Sequence, residues 1–562
     1  MPEDPRELLY LFALQNAVKY GDVPREGTVL AKLLGEHPQF RPQARDLSPA
    51  AREAVQKVAA LSPDERRADL AQRAPHLLEG LHAEHVRERR LPALANAQKG
   101  RVVMRFAPNP SGPLHLGHAR AAVLNDAYVR EYGGKYILRI EDTDPRRVDP
   151  EAYRTVQEDI AWLGLAIHEI VYQSDRLDTY YQYAEKLLAM GAAYVCTCEA
   201  EMFRELKLGK KPCPCRVNAA DENLRLWHDM LNGKFVEGEV TVRVKTEMEH
   251  PDPAMRDFSA FRIVSSPPHP RVEAQVFPLM NFSVAIDDHL LGVTHVIRGK
   301  DHIANTGRQK YIFDYFGWQQ PVYLHYGRMG IEGVVLSTSQ MRAGIAAGTY
   351  TGWDDVRLGT LRAIARRGIQ PEAVRNAVLD IGIGETDISF SWDNLYARNR
   401  EIVDPIANRF FFVPDPVQVE VRGAGDRIAA PLVHPGNIDR GTRILHFQSE
   451  IVIPKEELAN RTALRLKDLF NVSIEWEEEQ PVLVYTGDSL ADARKEKLPV
   501  IQWLPVLEKL PCTLHTQEGD TAGYCEPVVA HEVGKVVQFE RVGFARIDAA
   551  TDQGVVAYFA HR

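Results

Sequence analysis

The stretch that most restricts how this chain can fold is Arg101–Arg120, RVVMRFAPNPSGPLHLGHAR. It opens with Val102, Val103, Met104 and Phe106, a short, mostly apolar run of the kind a parallel sheet buries. Pro108, Pro110 and Pro113 with Gly112 then break it, because proline cannot donate to a ladder and glycine permits a sharp turn. An apolar pattern at helical spacing runs from Leu116 to Tyr132. A strand end, a proline-rich turn and a helix start therefore coincide, with His115-Leu116-Gly117-His118 at the joint. Helix N-termini present unpaired N–H groups and partial positive charge, which favour phosphate. Two imidazoles there can donate to an anion, and Gly117 lets a nucleotide come close to the backbone. Two plainer readings stand beside this one. The pair could be half of a metal site, although no zincin-type glutamate accompanies it, or two incidental histidines.

At 562 residues the chain exceeds one hydrophobic core, so about three to five domains are expected. No apolar run reaches the ~18 residues a membrane span needs. The acidic start MPEDPRELLY lacks a signal-peptide pattern, so a cytoplasmic, non-membrane protein is expected. A formal net charge of −9 argues against nucleic acid only weakly, since local basic faces decide binding in a large protein.

Residues 1–98 read as a helical domain. Leu8, Leu9, Leu11, Phe12 and Leu14 mark one amphipathic segment, Val29, Leu30, Leu33 and Leu34 a second, and Pro49 sits early in a third. Ser62-Pro63-Asp64-Glu65 resembles an N-cap with proline at the first helical position, and Glu84–Arg90 is highly charged. No chemistry is legible there; the domain reads as a packing or docking appendage, or as an arm for a partner protein or RNA. From 99 to 195 the chain alternates strand and helix. Its second strand, Lys135–Ile140, ends in Glu141-Asp142-Thr143-Asp144, where α/β sheets place ligands. Helices are expected over Ala152–Leu163 and Asp175–Met190.

Cys196, Cys198, Cys213 and Cys215 form two Cys-x-Cys pairs around a lysine-rich loop. Thiolates at that density suit tetrahedral, structural Zn²⁺; free cysteines or reversible disulfides are the alternatives. Residues 196–276 interrupt the alternation as an insertion, with Lys207, Lys210, Lys211 and Arg216 available to phosphates or simply solvated. The α/β pattern resumes over 277–345. A strand over Val293–Arg298 runs into Gly299-Lys300-Asp301-His302, and Val322–Tyr326 leads to a hairpin-like turn at Gly330–Gly333. Next comes Ser337-Thr338-Ser339-Gln340-Met341-Arg342. In 346–402, Asp354 and Asp355 precede an expected helix with a basic face of Arg357, Arg362, Arg366 and Arg367, extended by Arg375, Arg398 and Arg400. From 403 to 562 short strands and frequent turns indicate β-barrels; the one helical period falls at Leu458–Leu469. Cys512 and Cys525 read as buried strand residues.

The Arg101–Arg120 segment resembles the class I aminoacyl-tRNA synthetases, whose "HIGH" motif follows a strand and opens a helix in this way. It is closest to the glutamyl/glutaminyl branch, archaeal type. The resemblance covers the chain from about Arg101 onward. It implies a Rossmann-like catalytic domain with an inserted acceptor-stem-binding domain, a helical tRNA-contacting domain and C-terminal anticodon-binding barrels. It implies ATP with Mg²⁺, L-glutamate and tRNA(Glu), with tRNA(Gln) open, as partners of a monomeric enzyme whose adenylation requires bound tRNA. Residue by residue, it assigns Pro108, His115, Gly117, His118, Ser337 and Ser339 to ATP. Arg105, Glu141, Asn281 and Arg298 fall to glutamate, and Asp355 and Arg357 to tRNA. The Arg298–His302 run argues for glutamate over glutamine, because a free γ-carboxylate calls for arginine's planar fork. Leu336–Arg342 resembles the second motif, "KMSKS", but Gln340 stands where the family offers lysine. Arg342 is the expected substitute. A glutaminyl enzyme, a nucleotidyltransferase and a catalytically silent tRNA-binding relative are the rivals.

Overall fold

The computed structural model describes residues 4–20, 23–24, 26–75, 77 and 91–562, so the charged stretch at 84–90 lies outside the described residues. The chain divides into two compact units, Met1–Arg90 and Leu91–Arg562. In the first, helices Pro5–Tyr20, Glu26–Glu36, Ala44–Ala59 and Pro63–Arg73 surround a core that includes Leu9, Phe12, Leu33, Val58 and Leu70. Ser62 caps the last as its sequence suggests. Its Oγ accepts from the Glu65 N–H at 3.4 Å, and Glu65 Oε2 accepts from the Ser62 N–H at 2.8 Å.

The second unit is organised around parallel strands β1 (Val103–Phe106), β2 (Lys135–Ile140) and β3 (Glu169–Tyr172), paired in that order. An antiparallel sheet of β4 (Ala193–Cys196), β5 (Thr241–Val244), β6 (Ser259–Ile263) and β7 (Val276–Pro278) forms the insertion. It packs on helices Leu177–Ala189 and Ala220–Leu231 through Tyr180, Trp227, Phe261 and Phe277. Parallel strands β8 (His295–Gly299) and β9 (Val322–Tyr326) return the chain to the first sheet. Thr294, just before β8, makes the join. Its N–H donates to the Val103 carbonyl, and its Oγ1 accepts from the Val103 N–H, both at 2.9 Å. The resulting order β3-β2-β1-β8-β9 reverses direction between β1 and β8, where open α/β sheets leave a crevice at their carboxyl ends.

Three expectations fail, each for a local reason. Gly330–Gly333 makes no hairpin: Met329–Gly330 pairs in parallel with Ile388–Ser389, and the turn feeds the Thr338–Ala346 helix. Leu458–Leu469 is not helical. Lys455–Leu458 is one 3₁₀ turn and Ala463–Leu466 a strand, because Leu464 and Leu466 both point inward and Asn460 and Asp468 turn the chain at positive φ on either side. Over so few residues, alternation and helical period are hard to tell apart. The basic helix face is absent as such. The helix is only Leu361–Arg366, and its arginines are spent on internal partners. Arg362 pairs with Glu158 and, at 3.4 Å, with Asp159; Arg366 pairs with Asp354 at 2.9 Å and Asp548 at 3.4 Å. Arg367 is 2% exposed and donates to the Ala560 carbonyl and the Tyr396 hydroxyl, both at 2.7 Å. Arg375 donates to the Leu163 carbonyl, Arg398 pairs with Asp380, and Arg400 donates to the Arg562 carbonyl.

Beyond that region lie two seven-stranded sheets. One is centred on Ala463–Leu466, Asn471–Glu477 and Gln480–Gly487, the other on Leu510–His515, Gly543–Thr551 and Gly554–His561. Cys512 and Cys525 are buried in strands of the latter, as expected.

Candidate active site

The loop after β1 is stitched to the end of β2. The Glu141 N–H donates to the Pro108 carbonyl, and Asn109 Nδ2 donates back to the Glu141 carbonyl, both at 2.9 Å. The helix Leu116–Tyr132 begins where the sequence places it, with His115 at its N-cap and φ −125°. The Leu114 N–H donates to Asp159 Oδ2 at 2.7 Å, the Leu116 N–H to the Gly359 carbonyl at 3.0 Å, and the Leu361 N–H to the Leu114 carbonyl at 2.9 Å. Burial pushes Asp159 up to about 7 against the pull of the Leu114 N–H and Arg362. The motif is thus pinned on both sides.

The imidazoles of His115 and His118 stack with centroids 3.7 Å apart and planes 22° from parallel. A Cβ on Gly117 would lie 2.9 Å from His115 Cε1, so only glycine there lets the ring fold back over the helix start. His118 Nδ1 accepts from the His115 N–H at 3.4 Å, which leaves Nε2 as the protonated nitrogen. Burial, with the His118 ring as a lesser cause, pushes His115 down to about 2; burial alone pushes His118 down to about 4. Both rings are therefore neutral near pH 7 and act on an anion as N–H dipoles. His115 Nδ1 is buried without a hydrogen-bond partner among the described residues.

Beside His118 lies a cavity of about 240 Å³ whose wall includes Arg105, Pro108, Glu141, Met280, Val284, Arg298 and Tyr326. Its Arg105 and Glu141 belong to a buried charge network. Asp288, 1% exposed, accepts from Arg139 Nη1 at 2.6 Å and from Arg105 Nε at 3.2 Å. Arg139 also donates to Glu141 at 3.0 Å, and Arg176 pairs with Asp287 at 2.7 Å. Burial pushes Glu141 up, opposed by Arg139 and Arg105. Three of the four guanidiniums thus meet three carboxylates, and the one left over is Arg298, 8% exposed. Among the described residues it pairs with no carboxylate. Its Nη2 donates to Gln309 Oε1 at 2.9 Å, and its Nε is buried without any partner. Burial and then the nearby Arg105 push it down to about 10. Asn281 is not in the cavity wall; its Oδ1 accepts from Gln309 Nε2 at 3.4 Å, behind Arg298.

The second motif meets the loop that precedes the first. Ser337 caps the Thr338–Ala346 helix, and its hydroxyl lies 3.1 Å from that of Ser339. Met341 is fully buried, so Gln340 and Arg342 lie at the surface around it. Arg342 reaches across to the first motif, donating to the Ser111 carbonyl and, at 3.0 Å, to Asp149. A Cβ on Gly112 would lie 2.9 Å from Thr338 Cγ2, so the two loops touch there.

A family model described as tRNA synthetases class I (E and Q), catalytic domain, matches residues 101–405. Two anticodon-binding-domain models of the same family match residues 407–485 and 500–548. This chain belongs to the class I tRNA synthetases of the E and Q branch. It is 63% identical to the glutamate–tRNA ligase of Methanoculleus marisnigri, and the match covers 100% of both chains. It is 57% identical to that of Methanospirillum hungatei, again over 100% of both, and 48% identical to that of Pyrococcus abyssi over 98% of both.

The synthetase's insertion carries the cysteine cluster. The Sγ atoms of Cys196, Cys198, Cys213 and Cys215 all lie within 4.8 Å of one another. The Cys196–Cys213 and Cys198–Cys215 separations are 3.9 and 3.6 Å. Tetrahedral zinc with Zn–S near ~2.3 Å requires S···S of about 3.8 Å, so the thiols fit such an ion. Arg216 is taken by Asp257 at 2.9 Å and is not free for phosphate. Arg357 grips Asp355 with two N–H groups, at 2.9 and 2.6 Å. Burial raises Asp355, but hydrogen bonds from Arg357 and from backbone N–H groups bring it down to about 2.

Sequence reading missed Arg139, Asp287, Asp288, Gln309 and Arg120. The last is buried and ties the first-motif helix to the Gly327 and Gly382 carbonyls. The available signal was a charged residue inside an otherwise apolar parallel strand or buried helix, which requires a buried partner.

Proposed function

We propose that this synthetase activates L-glutamate with ATP and transfers it to the 3′ end of tRNA(Glu). The observation that carries the amino acid is Arg298, a buried guanidinium at the wall of a small cavity with no carboxylate partner among the described residues. A γ-carboxylate supplies the missing charge; a glutamine amide does not. Arg105, Arg139 and Glu141 are already committed to the Asp288 network and shape the cavity around it.

In the first step a glutamate α-carboxylate oxygen attacks the α-phosphorus of ATP, bound as its Mg²⁺ complex. The bond to the bridging oxygen breaks and pyrophosphate leaves. No side-chain nucleophile is required, since the task is positioning and stabilising phosphate charge. His115 and His118 present neutral N–H groups at the helix N-terminus, and Pro108 and Gly117 shape the approach. Ser337, Ser339, Gln340 and Arg342 cover the leaving phosphates, with Arg342 supplying the cation that Gln340 does not. In the second step a hydroxyl of the terminal adenosine attacks the activated carbonyl and AMP leaves. Asp355 and Arg357 hold the surface beneath the incoming tRNA.

Cys196, Cys198, Cys213 and Cys215 would hold a structural Zn²⁺ that crosslinks the insertion. With all its positions taken by protein thiolates, such an ion has no site for substrate. Thiolates of this kind suit a reducing cytoplasm, where we place the enzyme. Among the described residues no helix is long and apolar enough to cross a membrane. The N-terminal helical unit, with its own core, serves as a docking appendage.

ATP–pyrophosphate exchange with glutamate or glutamine, each with and without tRNA, tests this reading. Exchange with glutamate plus tRNA supports it. Exchange only with glutamine transfers the assignment to the glutaminyl rival, and tRNA binding without exchange leaves the silent binding protein.

A further inference from the structure

Arg298 is held by neutral side chains. Gln309 sits on the Ile303–Phe316 helix, is 0% exposed, and receives the Arg298 Nη2–H on its Oε1 at 2.9 Å. Its Nε2 donates to Asn281 Oδ1 at 3.4 Å, which decides which end of the amide faces the guanidinium. The Tyr323 ring lies 4.9 Å from the guanidinium and completes its support. The neighbouring buried arginines are treated differently. Arg105 and Arg139 are met by Asp288, and Arg176 by Asp287. A buried guanidinium ordinarily draws a carboxylate, and glutamate at 309 would match glutamine in length and shape. The amide aims the cation and leaves its charge unspent.

We propose that Gln309 is a specificity-determining positioning residue, whose carbonyl directs Arg298 toward the cavity while reserving the positive charge for the side-chain carboxylate of the amino acid. This rests on the reading of Arg298 as the partner of glutamate. With a carboxylate at 309, Arg298 would be neutralised from within. An incoming γ-carboxylate would then lose its charge-assisted contact, and the bias against a neutral side chain would shrink.

The experiment is aminoacylation with glutamate and with glutamine by wild type, Gln309→Glu and Gln309→Met, alongside thermal melting of each. Wild type must first charge glutamate; if it does not, the reading of Arg298 fails and Gln309 is not at issue. Given a glutamate-charging wild type, Gln309→Glu should raise the KM for glutamate about 100-fold. It should leave kcat little changed, reduce the preference for glutamate over glutamine, and melt no lower than wild type. Gln309→Met, which leaves the charge available but unaimed, should raise KM less than tenfold and keep the preference. A merely structural glutamine would give the opposite order, with the isosteric glutamate the milder change. A folded Gln309→Glu with wild-type KM for glutamate overturns the inference. If that variant does not fold, a Gln309→Met enzyme that has lost the preference overturns it equally.

Discussion

Under the proposed function, the two ends of the candidate active site solve opposite electrostatic problems. At the nucleotide end, two stacked imidazoles are kept neutral by burial, and the cation brought to that end, Arg342, arrives half-satisfied by Asp149. At the amino-acid end charge is dense, buried and fixed, with one guanidinium in excess. Under that function the difference follows from the ligands. ATP arrives with a metal counterion and spreads its charge over many oxygens, so neutral donors at a helix terminus suffice. Glutamate must be told from glutamine by one charge, and only a desolvated, unpaired cation reads that difference steeply.

The sharpest way to break the contrast is Arg298→Gln. It should lower kcat/KM for glutamate by about 10³-fold, measured by aminoacylation, while the KM for ATP stays put. His118→Ala should do the reverse, lowering kcat by about 10²-fold with the KM for glutamate unchanged. The neutral-imidazole reading also fixes a pH dependence. A histidine whose pKa is depressed by folding stays neutral as pH falls through the ordinary imidazole range, and protonates only near its lowered value. Activation should therefore be flat from pH 8 to 6 and decline as His118 protonates toward about 4. A rise in ATP affinity on acidification through pH 6.5 would mean that the rings work as cations. Arg342→Ala should reduce the exchange rate by about tenfold or more, and Asp149→Asn, which frees Arg342, should not. An unchanged rate in Arg342→Ala would remove it from the leaving-phosphate site. The smallest effect on activation belongs to Cys213→Ser, or to a strong chelator. Thermal stability should drop while exchange per folded molecule is preserved.

Much of the nucleotide end could be read from sequence because its signals are local. Prolines stop β1, a glycine and two histidines open the helix, and the helix bounds Leu116–Tyr132 coincide with the apolar period. The amino-acid end was only half legible. Arg298 lies near the carboxyl end of β8 and Arg105 within β1, as the resemblance expects, but Asp288 meets Arg105 across 183 residues of chain, which no spacing rule reveals. Asn281, which the resemblance gives to glutamate, also accepts from Gln309, a contact that no spacing rule reveals either. The arginines from 362 to 400 look like a phosphate-binding face in sequence, since nothing local shows that Asp548 or the Ala560 carbonyl will reach them. Leu458–Leu469 failed through ambiguity of period.

Two of those arginines also make a short load path. Residues 359–361 bond directly to the backbone on either side of His115, and within seven residues Arg366 and Arg367 are clamped to Asp548 and Ala560 on the last two strands of the chain. Gly368, at φ +91°, lies against the same sheet, where a Cβ would come 2.8 Å from Val536 Cγ2. Close-packed protein transmits strain and compresses little. The C-terminal sheet and the His115–His118 motif therefore hang from one short segment of backbone. A side chain that loosens this segment is felt at both ends, whichever end it was chosen to probe.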